Sequence, residues 1–440
     1  MKKRITKIII LFTAVTAVIF ITASCSSVNL PRSKQADSYI KENAVPLPIT
    51  ESTILSGLPA GDTEDLYTAL DAVYSPYTGT KRVIFIGEKH ACAGNFVVLH
   101  RLFPYFIDRF SVTAYVSEKG VAEGYLLDTY LKTGDESIPR RLIEMVSSSA
   151  AYTNDQMESF RILREQYLAL PEEERFRFIG IDVGHALSAP IMAFHYMTQD
   201  LSGDPPPPLE KAEELYRQYM VDGFPGFGDS RQDDVIDLMR NLDESLTPGS
   251  DLEIYLGDSS AMASLIIDSV VAAYDFYNKI SESGYDAAGS LRETAIMDHF
   301  TRHHNLAENP ESEIYFGQWG GFHVHQQPLA EEETIAGMIN APDGPFTGEV
   351  LSTMIFYNNC YYRDRKSNSG KQMDDSPGAY LGQRITDNYA LIPLDLPGSP
   401  FSEAVYFIYN SDKLDGVTTD YIQAALLIQN APAAETYNGN

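Results

Sequence analysis

Three observations predict an α/β fold with a mostly parallel central sheet flanked by helices. Short apolar runs recur along the first half of the chain, at Val83–Ile86, Val112–Val116 and Arg175–Val183. Stretches of helical spacing stand between them, and strand–helix alternation of this kind builds a parallel sheet with helices packed on its faces. From Pro205–Pro208 to about residue 290 the periodicity is helical without a strand, which marks a helical insertion (205–290).

The elements follow in order. Lys2, Lys3, Arg4 and Lys7 precede an uncharged run from Ile8 to Ser24, and then comes Cys25. A basic start, an apolar stretch and small residues before a cut describe an export signal over 1–24. Ala23 and Ser24 before Cys25 resemble a bacterial lipobox, so Cys25 is the expected lipid attachment point. The run is short for a spanning helix, which needs about 20 residues. Residues 25–50 are polar and aperiodic and read as a tether. The folded domain is expected over 51–430.

Within it, Leu66–Tyr74, Phe96–Phe106, Ala122–Leu131, Ile138–Met145 and Met157–Leu170 carry helical spacing. The insertion holds Glu210–Met220, Arg231–Leu246 and Ser260–Ser281. Strand signals return at Glu313–Phe316, Val350–Tyr357, Tyr389–Leu394 and Ala404–Tyr409.

Charge narrows the function. The chain carries 61 Asp+Glu against 33 Lys+Arg, a net charge of −28. Phosphate backbones need clustered Lys and Arg, so nucleic acid is not an expected partner. The acidic body also disfavours adhesion to an anionic membrane, leaving the lipid anchor as the membrane contact. The chain has three Cys, too few for a disulfide scaffold or a thiolate zinc site. If Cys25 carries lipid, Cys92 and Cys360 remain, and nothing in the sequence demands that they pair. No Gly-x-Ser-x-Gly elbow, Walker loop or dinucleotide fingerprint is present.

Polar constellations follow four of the expected strands: Gly87-Glu88-Lys89-His90, Ser117-Glu118-Lys119-Gly120, Asp182-Val183-Gly184-His185, and the run from Gly317 through Trp319 to His323 and His325. Ligands of open α/β sheets bind beyond the carboxyl ends of the strands. If these strands are parallel, their polar ends share one edge. Glu88, His90, Glu118, Asp182 and His323 would gather there, a set suited to acid–base work or to a metal. His323 and His325 are two apart, so one of them is expected to enter the site. His299 and His303 share a helix face and read as solvated. His100, His185 and His195 read as structural.

These residues resemble the erythromycin esterase family and, more distantly, the Tiki and ChaN-like group. Val83–His90 with Phe96 is similar to that family's "LGE..H....F" segment. Glu118 with Gly124, the run Asp128–Asp135, and Phe160–Glu165 followed by Phe178–Asp182 are similar to its next segments. Arg292-Glu293 with Met297, Glu313–Val324 and Ala404–Ile408 complete the order, covering about 80–412. In the esterases the first His lies three residues after the Glu. Here His90 lies two after Glu88, and the Gly-x-x-His spelling of 87–90, repeated at 320–323, is that of the Tiki and ChaN-like branch.

The resemblance implies a hydrolase of a small-molecule ester. His90 would be general base for water, oriented by Glu88 and Glu118, with His323 and Arg292 at the oxyanion or substrate. Asp182 and Trp319 are the expected substrate contacts, and no cofactor is expected. On a second reading, of Tiki-like metal-dependent hydrolases, His90, His323 and Glu118 hold a divalent metal. A third reading is a non-catalytic lipoprotein that binds haem or another small ligand, as ChaN-like proteins do. All three place the protein in the bacterial cell envelope, held by lipid.

Overall fold

In the computed structural model, residues 28–439 are described, apart from position 32 and the segments 50–59, 147–150, 226–228, 285–287, 330–331, 365–366, 368 and 409–410. The expected signal over 1–24 and Cys25 lie outside the described residues. The strands are β1 (Val45–Pro46), β2 (Val83–Glu88), β3 (Ala114–Gly120), β4 (Arg177–Asp182), β5 (Tyr315–Gly320), β6 (Val350–Asn358), β7 (Tyr361–Asp364), β8 (Ser369–Gln372), β9 (Tyr389–Pro393) and β10 (Ala424–Gln429). Eight of them form one sheet in the order β1–β9–β10–β6–β2–β5–β3–β4, and β7 and β8 form a separate hairpin ladder.

The sheet is mostly parallel, as the sequence predicts. β2 pairs in parallel with β5 on one side and β6 on the other, and β10 pairs in parallel with β6. β9 and β1 extend it in antiparallel fashion. A parallel strand covered on both faces needs an unbroken apolar run rather than alternation. Val83–Ile86 is such a run, and all four residues are fully buried.

Two expectations are corrected. Within the expected strand Ala404–Tyr409, the described residues 404–408 form none: Phe407 takes a left-handed backbone at φ 67°, which breaks the two-residue period. Its ring instead packs in an irregular segment against Phe356, Tyr380 and Phe401. The strand that pairs with β6 on this side of the sheet is β10. Residues 25–50 are also not simply a tether. Lys34–Asn43 is a helix, N-capped by Ser33, with Ala36, Tyr39 and Ile40 buried. Asp37 on this helix accepts from Arg384 at 2.6 Å, and Val45 and Pro46 pair with β9.

The chain divides into two units. Among the described residues, one holds Ser24–Tyr115, Ser149–Phe176 and Ser312–Asn440. Its aromatic core joins Phe103 of the Ala93–Phe110 helix to Phe316 of β5, with ring centroids 5.1 Å apart. The other comprises Val116–Ser148 and Arg177–Glu311 among the described residues. It contains the insertion, whose helices are Pro207–Asp222, Gln232–Ser245, Asp251–Leu256 and Ser260–Ser283, followed by Gly289–Asn305. Pro207 opens the first of them, a position where its missing N–H costs nothing.

His299 and His303 are buried rather than solvated. Their rings donate to the carbonyls of Ile181 (2.9 Å) and Gly180 (3.2 Å), which fastens the Gly289–Asn305 helix to β4. Burial lowers His299 and pushes His303 down to about 3, so both are neutral near pH 7.

The Val121–Thr133 helix also lies directly on β4. A methyl group at Gly124 would overlap the backbone nitrogen of Gly180. Gly124→Ala is therefore expected to destabilise the protein by about 1–3 kcal/mol through overpacking. A lowered denaturant midpoint at unchanged slope checks this; an unchanged midpoint would show that the helix can move off the strand.

Candidate active site

In the first unit, the site is built on the carboxyl ends of two adjacent parallel strands. Glu88 ends β2 and has Gly320 of β5 as its register partner. The Glu88 carbonyl accepts from Gly321 N at 2.8 Å, so the two strand ends stay paired as the chain turns out. His90 Nδ1 lies 2.9 Å from Glu88 Oε1. A carboxylate accepts only, so Nδ1 carries the proton and Nε2 is the basic nitrogen. The His90 side chain is 41% exposed and that of Glu88 is 13% exposed. The ring therefore meets solvent while the carboxylate behind it is largely covered.

A network of neutral groups holds this pair. Gln318 of β5 donates from Nε2 to Glu88 Oε2 (2.5 Å) and to Asn95 O (3.1 Å). Asn95, buried in the first turn of the Ala93–Phe110 helix, donates to Lys89 O at 2.7 Å. Tyr357 of β6 accepts from Lys89 N at 2.9 Å and donates to Asn95 Oδ1 at 2.7 Å. Both polar groups of the Lys89 peptide are thus clamped between Glu88 and His90. Ala91 then takes φ 65°, a left-handed turn that redirects the chain into the helix.

His323 follows β5, so it stands at the same strand edge as His90. It is buried, with its ring edge-on to Trp319 (5.7 Å) and Phe322 (5.4 Å). His325 is buried as well, and burial pushes it down to about 4. Trp319, expected at the substrate, is fully buried against Phe85 and supports His323 from within the core.

In the second unit, Glu118, Asp182 and Arg292 come together. Arg292 donates from Nε to Asp182 Oδ1 (2.8 Å) and from Nη2 to Asp182 Oδ2 (2.6 Å), a two-point grip on one carboxylate. Nη2 also donates to Glu118 Oε1 at 2.8 Å. Asp182, expected at the substrate, is wholly buried instead and also accepts from Val183 N at 2.7 Å. Burial alone would raise its pKa. The charge and hydrogen bonds of Arg292 outweigh that and hold the carboxyl well below the usual range.

His185, read from the sequence as structural, joins this cluster. Its Nε2 lies 3.2 Å from Asp182 Oδ2 and its Nδ1 2.5 Å from the Tyr277 hydroxyl. The sequence placed His185 three residues after Asp182, which was the available signal. Tyr277, Asn95 and Tyr357 carried none, because each reaches its partner across the fold.

Among the described residues, no three His, Cys, Asp or Glu side chains gather as a metal-holding group. A separate cavity of about 810 Å³ lies in the second unit, with Pro206, Ser250 and Tyr255 in its wall and Asp204 and Asp251 as its acidic groups.

No protein-family model matches this chain, and no curated protein does. Solved structures do. A succinoglycan biosynthesis protein superposes with a TM-score of 0.61 at 12% identity, over 93% of this chain and 100% of that one. A Bacillus cereus protein gives 0.58 at 14% identity, with the same coverage of 93% and 100%. An open conformation of a mutant erythromycin esterase, EreC, gives 0.57 at 14% identity, over 88% of this chain and 98% of that one. The fold is erythromycin esterase-like. At these identities the likeness concerns architecture.

Proposed function

We propose that this protein is a hydrolase that cleaves an ester bond in a small molecule, with water activated by His90. The observation that carries the reading is the His90 Nδ1–Glu88 Oε1 hydrogen bond at the carboxyl end of a central parallel strand. His90 Nε2 takes a proton from water, and the hydroxide adds to the ester carbonyl. Collapse of the tetrahedral oxyanion expels the alcohol oxygen, which receives the proton from the imidazolium. Glu88 stabilises that imidazolium and fixes the ring. The fold neighbour named as an erythromycin esterase supports an ester as the substrate class.

The other expected site residues take graded roles in this reading. His323 is the second imidazole at the strand edge and serves the oxyanion. Arg292 holds Glu118 in place, and Asp182 neutralises Arg292. A metal-dependent hydrolase is the rival reading, although among the described residues no three His, Cys, Asp or Glu side chains gather to hold the ion. Export and lipid attachment at Cys25 remain part of the proposal. A labelled fatty-acid analogue should mark the wild type and not Cys25→Ser.

The deciding experiment uses protein purified without added metal. Hydrolysis of aryl esters is measured with chelator, and again with Mn²⁺, Co²⁺ or Zn²⁺. Turnover that survives the chelator is expected. Turnover only with metal would transfer the site to the metal-dependent reading. No turnover in either condition would remove the enzyme reading and favour a ligand-binding lipoprotein.

A further inference from the structure

Two thiols, Cys92 and Cys360, are fully buried, and the proposed reaction uses neither. Cys92 is the N-cap of the Ala93–Phe110 helix, two residues after His90. Cys360 follows β6 by two residues. Both sulfurs reach the same short stretch beyond β10. Ala431 N lies 3.4 Å from Cys360 Sγ, and Pro432 O lies 3.8 Å from Cys92 Sγ. The backbone repeats this convergence: Tyr361 N donates to Ala431 O at 2.9 Å, and Cys92 bridges to Ala433. The two sulfurs also act on one another. Hydrogen bonding between them raises the Cys92 thiol and lowers that of Cys360.

We propose that Cys92 and Cys360 form a disulfide when the chain folds in the presence of a disulfide oxidant. The inference goes beyond the hydrolase reading and does not depend on it. Cys360, as thiolate, attacks one sulfur of the oxidant and displaces its other half as a thiolate. The Cys92 thiolate then attacks the mixed disulfide at Cys360 and releases the second half. One S–S bond forms between Cys92 and Cys360, and the oxidant leaves as two thiols carrying the two protons. Exchange belongs to folding, because sulfurs buried this deeply are closed to an external oxidant afterwards. The link joins the start of the helix behind His90 to the end of β6, and closes the loop between 92 and 360.

The test unfolds the full chain, with Cys25→Ser to remove the third thiol. One sample is refolded in a glutathione redox buffer and another with a dithiol reductant. Both are acid-quenched, denatured, alkylated and peptide-mapped. A linked Cys92–Cys360 peptide is expected in the oxidised sample. The unfolding temperature should stand about 5 °C or more above that of the reduced sample, since closing a long loop restrains the unfolded chain. Cys360→Ala should lose both effects. Alkylation of Cys92 and Cys360 in the oxidised sample would overturn the proposal, as would glutathione retained on either. None of these readouts uses ester hydrolysis, so failure of the hydrolase reading leaves them unchanged.

Discussion

His90→Asn is expected to lower the rate of aryl-ester hydrolysis about 10²–10⁴-fold, the usual cost of losing a general base. Stability should change by no more than about 0.5 kcal/mol, as for a surface position away from core packing. The two expectations follow from one geometry. The His90 side chain is 41% exposed, and its ring hydrogen-bonds to Glu88 through Nδ1. An Asn amide can still donate towards that carboxylate, so the turn keeps its internal partner. What it lacks is the second ring nitrogen, which in the proposed reaction takes the proton from water.

The same experiment separates catalysis from folding. If His90 were chiefly a structural residue, the variant would melt earlier and its residual activity would follow the folded fraction. A variant that melts with the wild type and hydrolyses as fast would remove His90 from the reaction. Gln318→Ala makes a companion measurement. Gln318 touches Glu88 rather than His90, so it acts through the carboxylate. A smaller loss in kcat at unchanged KM is expected from it.

The sequence carried part of this. β2 and β9 were legible because each carries a short, buried, wholly apolar run, and β6 because Val350-Leu351 and Ile355–Tyr357 flank a short Ser-Thr-Met centre. β10 was not. It begins Ala424-Ala425-Leu426-Leu427, residues that favour helix when read alone, and sheet pairing overrides that preference. The Lys34–Asn43 helix was hidden because only Ala36, Tyr39 and Ile40 are buried within a polar stretch. The Glu88–His90 pair could be read locally, two residues apart at a strand end. The Arg292–Asp182 pair spans 110 positions, so its members were visible singly while their contact was not. His299 and His303 had the right spacing for one face. Nothing local said that β4 would cover that face.

Asp182→Asn is expected to destabilise the protein by about 3–5 kcal/mol, the cost of breaking a buried ion pair from one side. Asp182 is wholly buried and Arg292 nearly so, with side-chain exposures of 0% and 9%. Removing the carboxylate charge leaves the guanidinium beside Glu118, which is itself only 15% exposed. That loss is a large share of the about 5–15 kcal/mol that holds a domain folded. Removing both charges should cost less than removing one, so Asp182→Asn with Arg292→Met should recover part of the stability. The pH dependence has a definite sign. The folded carboxyl titrates below its ordinary value of 3.8, so its contribution is fully present above that value. It is lost as pH falls further, through the lowered folded value. The stability gap between wild type and Asp182→Asn should therefore be constant from pH 7 down to about 5 and narrow below pH 3.8. Denaturant midpoints measured across that range check the magnitude and the sign together. A variant as stable as wild type at pH 7 would mean that solvent reaches Arg292, and the buried-pair reading of this cluster would fall.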